Sequence, residues 1–349
     1  PKEYREAINY VNNEMDPHLV HGYMPNAGFE STRTAVAENL NKRFGSNFTF
    51  ENIIMTVGAG SSINVIMKTI FDPGDKQVVF APYFVEYANW ASNYHAETVV
   101  VPPNEANGFE PDPEALKKAL DPKVKVVIIN NPNNPTGAIY SRETLEKIAE
   151  VLKEAEKEYG HPIYIITDEP YRELVYVDKE IVFIPDLYDN TIIAYSWSKS
   201  LSIPGDRLGY LAVSPKSDNV DEFMAAATVA NRISGDTNAP SIIQLAVERC
   251  LDAQVDIPYY KKNAEDLYKI VTDAGFTAVV PQGAFYLWVK SPVADEKELV
   301  AAAKEERILA VPGSAFACPG YIRLSFCISN ETIQRSAESF AKLGKKYFG

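Results

Sequence analysis

A chain of 349 residues is longer than one hydrophobic core usually serves, so two domains are expected, and 46% apolar with 23% charged residues is a globular balance, not a disordered or fibrous one. The 34 basic and 47 acidic side chains leave a net charge of −13, a field that repels phosphate backbones and anionic lipid and argues against nucleic acid or a membrane surface as partner. Three cysteines without a CxxC pair (Cys250, Cys318, Cys327) cannot staple so long a chain, and with neither an apolar span of about 20 residues nor a signal peptide in view, the cytoplasm is the expected location. The numbering opens on Pro1, so the sequence reads as the continuation of a longer chain.

In chain order, short β-branched runs alternate with stretches of helical period, the pattern of βαβ units around a mainly parallel sheet. A strand is expected over 53–57, then the turn GAGSS (58–62) and a helix over 61–71. Strands at 77–81, 97–101 and 124–130 follow, separated by helices at 85–93 and 112–120. The helix over 141–159 has Ser141 at its start and Gly160 with Pro162 at its end, a start and stop signature. Strands at 163–167, 191–195 and 208–213 complete seven. From Ser241 to Ala274 the period becomes helical, and the strands expected at 285–290, 308–311 and 321–327 with a helix from Glu331 read as a smaller α+β domain. The fold class is α/β: a large domain with a mainly parallel seven-stranded sheet between helices, plus the smaller α+β domain.

In such sheets ligands bind outside the carboxyl ends of the strands, so residues just past each strand are the informative ones. GAGSS suits close approach of backbone to an anion at a helix start, or a plain tight turn; a dinucleotide fingerprint would need glycine where Ile63 stands. After the fourth strand, NPNNPTG (131–137) is a rigid turn, yet Asn134 follows a buried run and its amide must find a partner. Asp168 and Glu169, then Pro170 and Tyr171, end the fifth strand; a carboxylate there is costly unless it is paired or solvated. SWSKS ends the sixth, putting Lys199 four residues past an apolar strand and Arg207 eight further on. A lysine in a desolvated pocket is a candidate Schiff-base nucleophile, although most lysines are solvated surface charges. Together these groups suit an aldehyde cofactor with a phosphate, a phenolic oxygen and a pyridine nitrogen.

NNPNNPTGAIY, ITDEPYREL and SWSKSLSIPGDRLGY closely resemble the class I/II aminotransferases, pyridoxal-phosphate enzymes of fold type I that resemble aspartate aminotransferase. HGYMPNAGFESTR, TVGAGSSINV, APYFVEY, PQGAFYLWV and YIRLSF extend the resemblance, in the family's order, over nearly the whole chain. It implies a large cofactor-binding domain over 22–245 and a small domain from 1–21 and 246–349. It implies that Lys199 holds pyridoxal 5'-phosphate as a Schiff base and shuttles the proton, and that Asp168 pairs with the pyridinium nitrogen. Asn134 and Tyr171 would bond the phenolic oxygen, and Phe84 would lie on the ring face. The phosphate would be held by the backbone at Gly60 and Ser61, by Ser196 and Arg207, with Ser198 as a further contact. Tyr23 would reach the cofactor phosphate of a neighbouring subunit, which implies a homodimer with shared sites. Arg323 would grip the substrate α-carboxylate, beside Asn134, and Arg232, 33 residues beyond Lys199, matches a segment in which an arginine of the other subunit pairs with a distal carboxylate. The family's amino-terminal segment, which lines the substrate pocket and helps close it, is expected before Pro1.

The expected function is amino transfer from an amino acid to a 2-oxo acid, with acidic substrates such as aspartate or glutamate favoured if Arg232 acts as the resemblance implies. Three rivals are a β-lyase (C–S lyase) of the same fold, a non-catalytic cofactor-binding regulatory domain, and a nicotinamide dehydrogenase. Lys199, Asp168 and Arg323 together argue against the second, and Ile63 against the third. No metal is expected.

Overall fold

The computed structural model describes residues 1–349. Seven strands form the large sheet: β1 (Ile53–Thr56), β2 (Lys76–Phe80), β3 (Glu97–Val101), β4 (Val124–Asn130), β5 (Tyr164–Asp168), β6 (Thr191–Ser196) and β7 (Gly209–Val213). Their order is β1-β7-β6-β5-β4-β2-β3, and only β7 runs antiparallel to its neighbours. A second sheet of β8 (Tyr286–Lys290), β9 (Val311–Pro312) and β10 (Tyr321–Ser325) is antiparallel, with β10 in the middle. The α/β class, the seven strands and the smaller α+β unit all stand as expected.

Helices α1 (Lys2–Glu14), α2 (Pro17–His21) and α3 (Glu30–Phe44) precede β1, and α4 (Ala59–Ile70) follows it. The crossovers are α5 (Glu86–Ser92), α6 (Pro113–Ala119) and α7 (Arg142–Tyr159), with a four-residue α8 (Trp197–Ser200) between β6 and β7. Then come α9 (Val220–Ile233), α10 (Ser241–Val247), α11 (Ile257–Asp273), α12 (Glu296–Glu305), α13 (Asn330–Arg335) and α14 (Ala337–Phe348). The Ser141 side chain accepts from the Thr144 amide to start α7, and Gly160 at φ 75° ends it. Leu145, Ile148, Ala149, Leu152 and Ala155, spaced by three and four, are its buried stripe.

Strands β1, β5, β6 and β7 are buried at every residue, as a sheet covered on both faces requires. Alternate residues go to opposite faces: Ile54, Ile166 and Ala194 join one cluster with α4 and α9, while Ile53, Met55 and Ile193 join another with α1 and α10. Each of the isoleucine and methionine side chains, wholly buried, contributes about 1.5–3 kcal/mol. A third cluster surrounds the small sheet with α11, α12, α13 and α14.

The amino-terminal 21 residues differ from the division expected at residue 22. Tyr4, Ala7, Val11 and Val20 pack with Leu245, Ala246 and the strands of the large sheet, not with the small-sheet cluster. A division at 245/246 would also cut α10; Cys250 still belongs to the large-sheet cluster, and Val255 packs on the small one. The physical reason is that the apolar side of α1 covers α10, which a local pattern does not reveal. No helix is long and apolar enough to cross a membrane.

Candidate active site

Because β4, β5 and β6 are parallel and in register, Asn130 pairs with Asp168 and Asp168 with Ala194, so their carboxyl ends meet along one edge. The reversed β7 begins at Gly209, opposite both Ser196 and Thr56, which brings the turn after β1 and the loop before β7 to the same edge. Glycine at 209 is obligatory for that meeting, since a Cβ there would lie 2.4 Å from the Tyr195 carbonyl oxygen and 2.8 Å from Gly58 Cα. A cavity of about 360 Å³ opens at this edge, within the range of small-ligand clefts. Ten residues singled out in the sequence line it: Gly60, Phe84, Asn134, Asp168, Tyr171, Ser196, Ser198, Lys199, Arg207 and Arg323.

Of the two consecutive carboxylates, Glu169 is taken up by a buried ion pair with Arg172 and by the Thr167 hydroxyl. Asp168 faces the cavity. Its Oδ2 accepts a 2.5 Å hydrogen bond from the Tyr87 phenol, while its Oδ1 is buried with no partner. Burial is the main reason its carboxyl is pushed up to about 7, against the Tyr87 hydrogen bond and helped by the Glu169 charge. An ionised carboxylate in such a place needs a cation.

Lys199 stands on α8, whose Ser196 cap accepts from the Ser198 amide at 3.1 Å, and the two serine hydroxyls are 2.7 Å apart. The amine lies 5.2 Å from the Phe285 ring centroid. Burial lowers its proton affinity, the Cys327 thiol opposes this, and Arg207 and Arg323 add to it. A lysine amine made less basic in this way is more often in the neutral form that can attack a carbonyl. The Tyr171 hydroxyl lies 3.0 Å from that of Tyr286, and burial holds the Tyr171 phenol well above its ordinary value.

The Arg323 guanidinium is stacked between the rings of Tyr286 and Phe316, at 4.3 and 4.8 Å, and donates to Asn134 Oδ1 at 2.9 Å. That is the partner the buried asparagine required. Arg207, also in the cavity lining, donates to the carbonyls of Pro204 at 2.7 Å and Val57 at 3.2 Å. Gly58, at φ +93°, leaves room for it: a Cβ would lie 2.9 Å from Arg207 Nη2. The same glycine begins α4, which has no side-chain cap, so amides of its first turn are open to an anion.

Three expected residues lie outside the cavity. Ser61 is on the adjoining turn but does not line it, Tyr23 is 98% exposed, and Arg232 is exposed on α9, donating to Asn26 Oδ1 at 2.8 Å. Tyr87, Asn130, Trp90 and Tyr286 line the cavity without having been singled out. Asn130 ties the site together, donating to the Asp168 carbonyl at 2.9 Å and accepting from the Asn134 amide at 2.7 Å. The signal for Tyr87 and Trp90 was the three-residue spacing from Phe84, which brings the three rings edge-to-face or tilted within 5.7–6.1 Å of one another.

Residues 1–340 match the sequence profile of the family described as aminotransferase class I and II. An aspartate/prephenate aminotransferase of Thermus thermophilus is 33% identical over 329 residues, 92% of this chain and 83% of that protein. The crystal structure of an aminotransferase from Eubacterium rectale superimposes with a TM-score of 0.97 at 39% identity, covering 100% of this chain and 88% of that one. The aspartate aminotransferase of Thermus thermophilus with maleate superimposes with a TM-score of 0.88 at 29% identity over 98% of this chain and 88% of that one.

Proposed function

The chain belongs to the class I and II aminotransferases, and on that premise we propose that the residues of this cavity divide the family's chemistry among them as set out below. The reaction is pyridoxal-phosphate-dependent transfer of an amino group from an amino acid to a 2-oxo acid, and the relatives favour it over elimination by a lyase. Bound, the cofactor supplies an electron sink for the negative charge left at Cα.

The observation that carries the assignment is the unpartnered, buried Oδ1 of Asp168 in a cavity that also holds Lys199, Arg207 and Arg323. One buried carboxylate calls for a cationic ring nitrogen, and two arginines on separate elements call for two anions. Asp168 pairs with the ring nitrogen, steadied by Tyr87 and Asn130. Arg207, with Ser196, Ser198 and the amides at Gly60 and Ser61, holds the phosphate. Phe84 covers the ring, and Tyr171 and Asn134 bond its phenolic oxygen. Arg323, its ring stack already formed, takes the substrate α-carboxylate with its remaining donors. Lys199 would hold the cofactor through its aldehyde carbon, and its amine, released when the substrate amino group takes that carbon, would carry the proton to and from Cα.

The working unit in this reading is a cytoplasmic homodimer with composite sites. Three free cysteines suit a reducing compartment. Tyr23 is fully exposed, and Asn26 in the same segment bonds Arg232, so both residues expected to act across a subunit boundary share one face, with Ile233 62% exposed beside them. Mixing Lys199→Ala chains with Tyr23→Ala chains, each nearly inactive alone, is expected to restore roughly a quarter of wild-type activity, because half the dimers carry one intact site. Full activity of a monomer at assay concentration refutes it.

Arg232 reaches the partner's site and pairs with the distal carboxylate of an acidic donor. Removing it leaves that carboxylate unpaired, at a cost of roughly 2–5 kcal/mol, or about 30-fold to several thousand-fold in kcat/KM. Arg232→Ala is expected to lose that factor with aspartate and little with alanine or an aromatic amino acid. Uniform loss over all donors, or a wild-type preference for neutral donors, returns Arg232 to the scaffold.

A further inference from the structure

The loop from Ser202 to Arg207, which delivers Arg207 to the cavity, is tied within itself by the Asp206 amide on the Ile203 carbonyl at 3.2 Å and by Arg207 on the Pro204 carbonyl at 2.7 Å. Ser202 and Arg207 are both at φ +55°, a region that non-glycine residues avoid, and Pro204, Gly205 and Arg207 are exposed. Such a conformation persists only where the surroundings hold it. A further hold comes from far away in the chain. Asp206, next to Arg207, accepts a 2.5 Å hydrogen bond from the phenol of Tyr4, 202 residues earlier. Tyr4 is itself immobilised: it is 6% exposed on α1, in the same cluster as Leu201 and Leu208 at the two ends of the loop. Burial, with the Asp206 carboxylate beside it, pushes the phenol well above its ordinary value, so it remains a donor at any working pH.

We propose that the Tyr4–Asp206 hydrogen bond is a clasp by which α1 holds the 202–207 loop in the conformation that presents Arg207 to the cofactor phosphate. Tyr4 and Asp206 are then positioning residues, acting on the phosphate only through Arg207. The inference rests on the reading of Arg207 as a phosphate ligand. It explains why a helix remote from the sheet edge spends a buried polar group on this loop, and why Arg207 Nη2 can stay 3.2 Å from the Val57 carbonyl, over the space that Gly58 leaves open.

The test is the dissociation constant of the holoenzyme for pyridoxal phosphate against that for pyridoxal, which lacks the phosphate, read from the absorbance of the bound cofactor. Tyr4→Phe and Asp206→Ala are each expected to weaken pyridoxal phosphate by roughly five- to thirtyfold and pyridoxal by less than about twofold. The double variant is expected to be no weaker than the worse single one, since both remove the same bond. Asp206→Asn, which still accepts from the phenol, is expected to bind as wild type; with Asp206→Ala it carries the test should Tyr4→Phe fail to fold. Equal weakening of the two ligands, no weakening, or additive losses overturn the clasp. Arg207→Ala separates the two readings: if it weakens both ligands alike, Arg207 is not the phosphate ligand, whereas phosphate-selective loss there without any in Tyr4→Phe removes the clasp alone.

Discussion

Lys199→Ala is expected to lower turnover by roughly 10⁴-fold or more while the protein still takes up pyridoxal phosphate. The magnitude follows from removing a nucleophile and a general base in one step. Retained binding follows from the groups that stay: Arg207, Ser196 and the α4 amides proposed for the phosphate and Asp168 proposed for the ring nitrogen, none of which depends on the lysine. Lys199→Arg sharpens the result. Arginine keeps the positive charge but does not deprotonate, and so neither attacks an aldehyde nor accepts the proton from Cα. If charge alone mattered, that variant would work. The measurement is the rate of keto-acid formation in a single turnover, with cofactor content read separately from the spectrum. Near-normal turnover by either variant ends the assignment of Lys199.

The large sheet was legible because most of its strands are buried on both faces and therefore read as unbroken β-branched runs; β3 and β4 stand at 97–101 and 124–130 as expected, and the bounds of the others differ by one residue. Helices α1, α3 and α12 were not, because their buried stripes are thin: Tyr4, Ala7 and Val11 in α1, and Leu299, Ala302 and Ala303 in α12. In the cavity, residues whose own chemistry stands out next to a strand end could be read from the sequence, as Asp168 and Lys199 were. Residues that act through a partner could not. Tyr87 matters because its hydroxyl meets Asp168, 81 residues away, and Tyr4 because it meets Asp206. Before folding, each is one more tyrosine among 20. The packing of residues 1–21 was hidden for a related reason: what α1 covers is decided by α10, more than 200 residues later, not by its own pattern.

Asp168→Asn is expected to separate catalysis from binding. The side chain keeps its size and its contact with Tyr87, but the cation on the ring nitrogen loses its counter-charge. Breaking a buried pair on one side costs about 3–5 kcal/mol, which at 1.4 kcal/mol per decade is roughly 10²- to 10⁴-fold in rate, whereas cofactor affinity, held mainly at the phosphate end, falls far less. Equal losses in rate and affinity would mark Asp168 as a structural residue. A second consequence appears in the protein stripped of cofactor. There the buried carboxyl is pushed up to about 7 from an ordinary value of 3.8. Below pH 3.8 the folded and unfolded chains are both protonated at this residue and it has no effect on stability. Between 3.8 and about 7 the unfolded chain ionises and the folded one does not, so wild-type stability falls as pH rises, and above about 7 the loss is complete, on the order of 4 kcal/mol. Asparagine does not titrate. The stability of Asp168→Asn relative to wild type, measured by thermal unfolding without cofactor, is therefore expected to rise from about pH 4 to about pH 7 and then level off. Adding pyridoxal phosphate is expected to close the gap at high pH, because the ionised carboxylate then has its cation. A gap that stays constant from pH 5 to pH 8 without cofactor would mean that Asp168 is already paired in the empty cavity, and its free Oδ1 would no longer argue for a ring nitrogen.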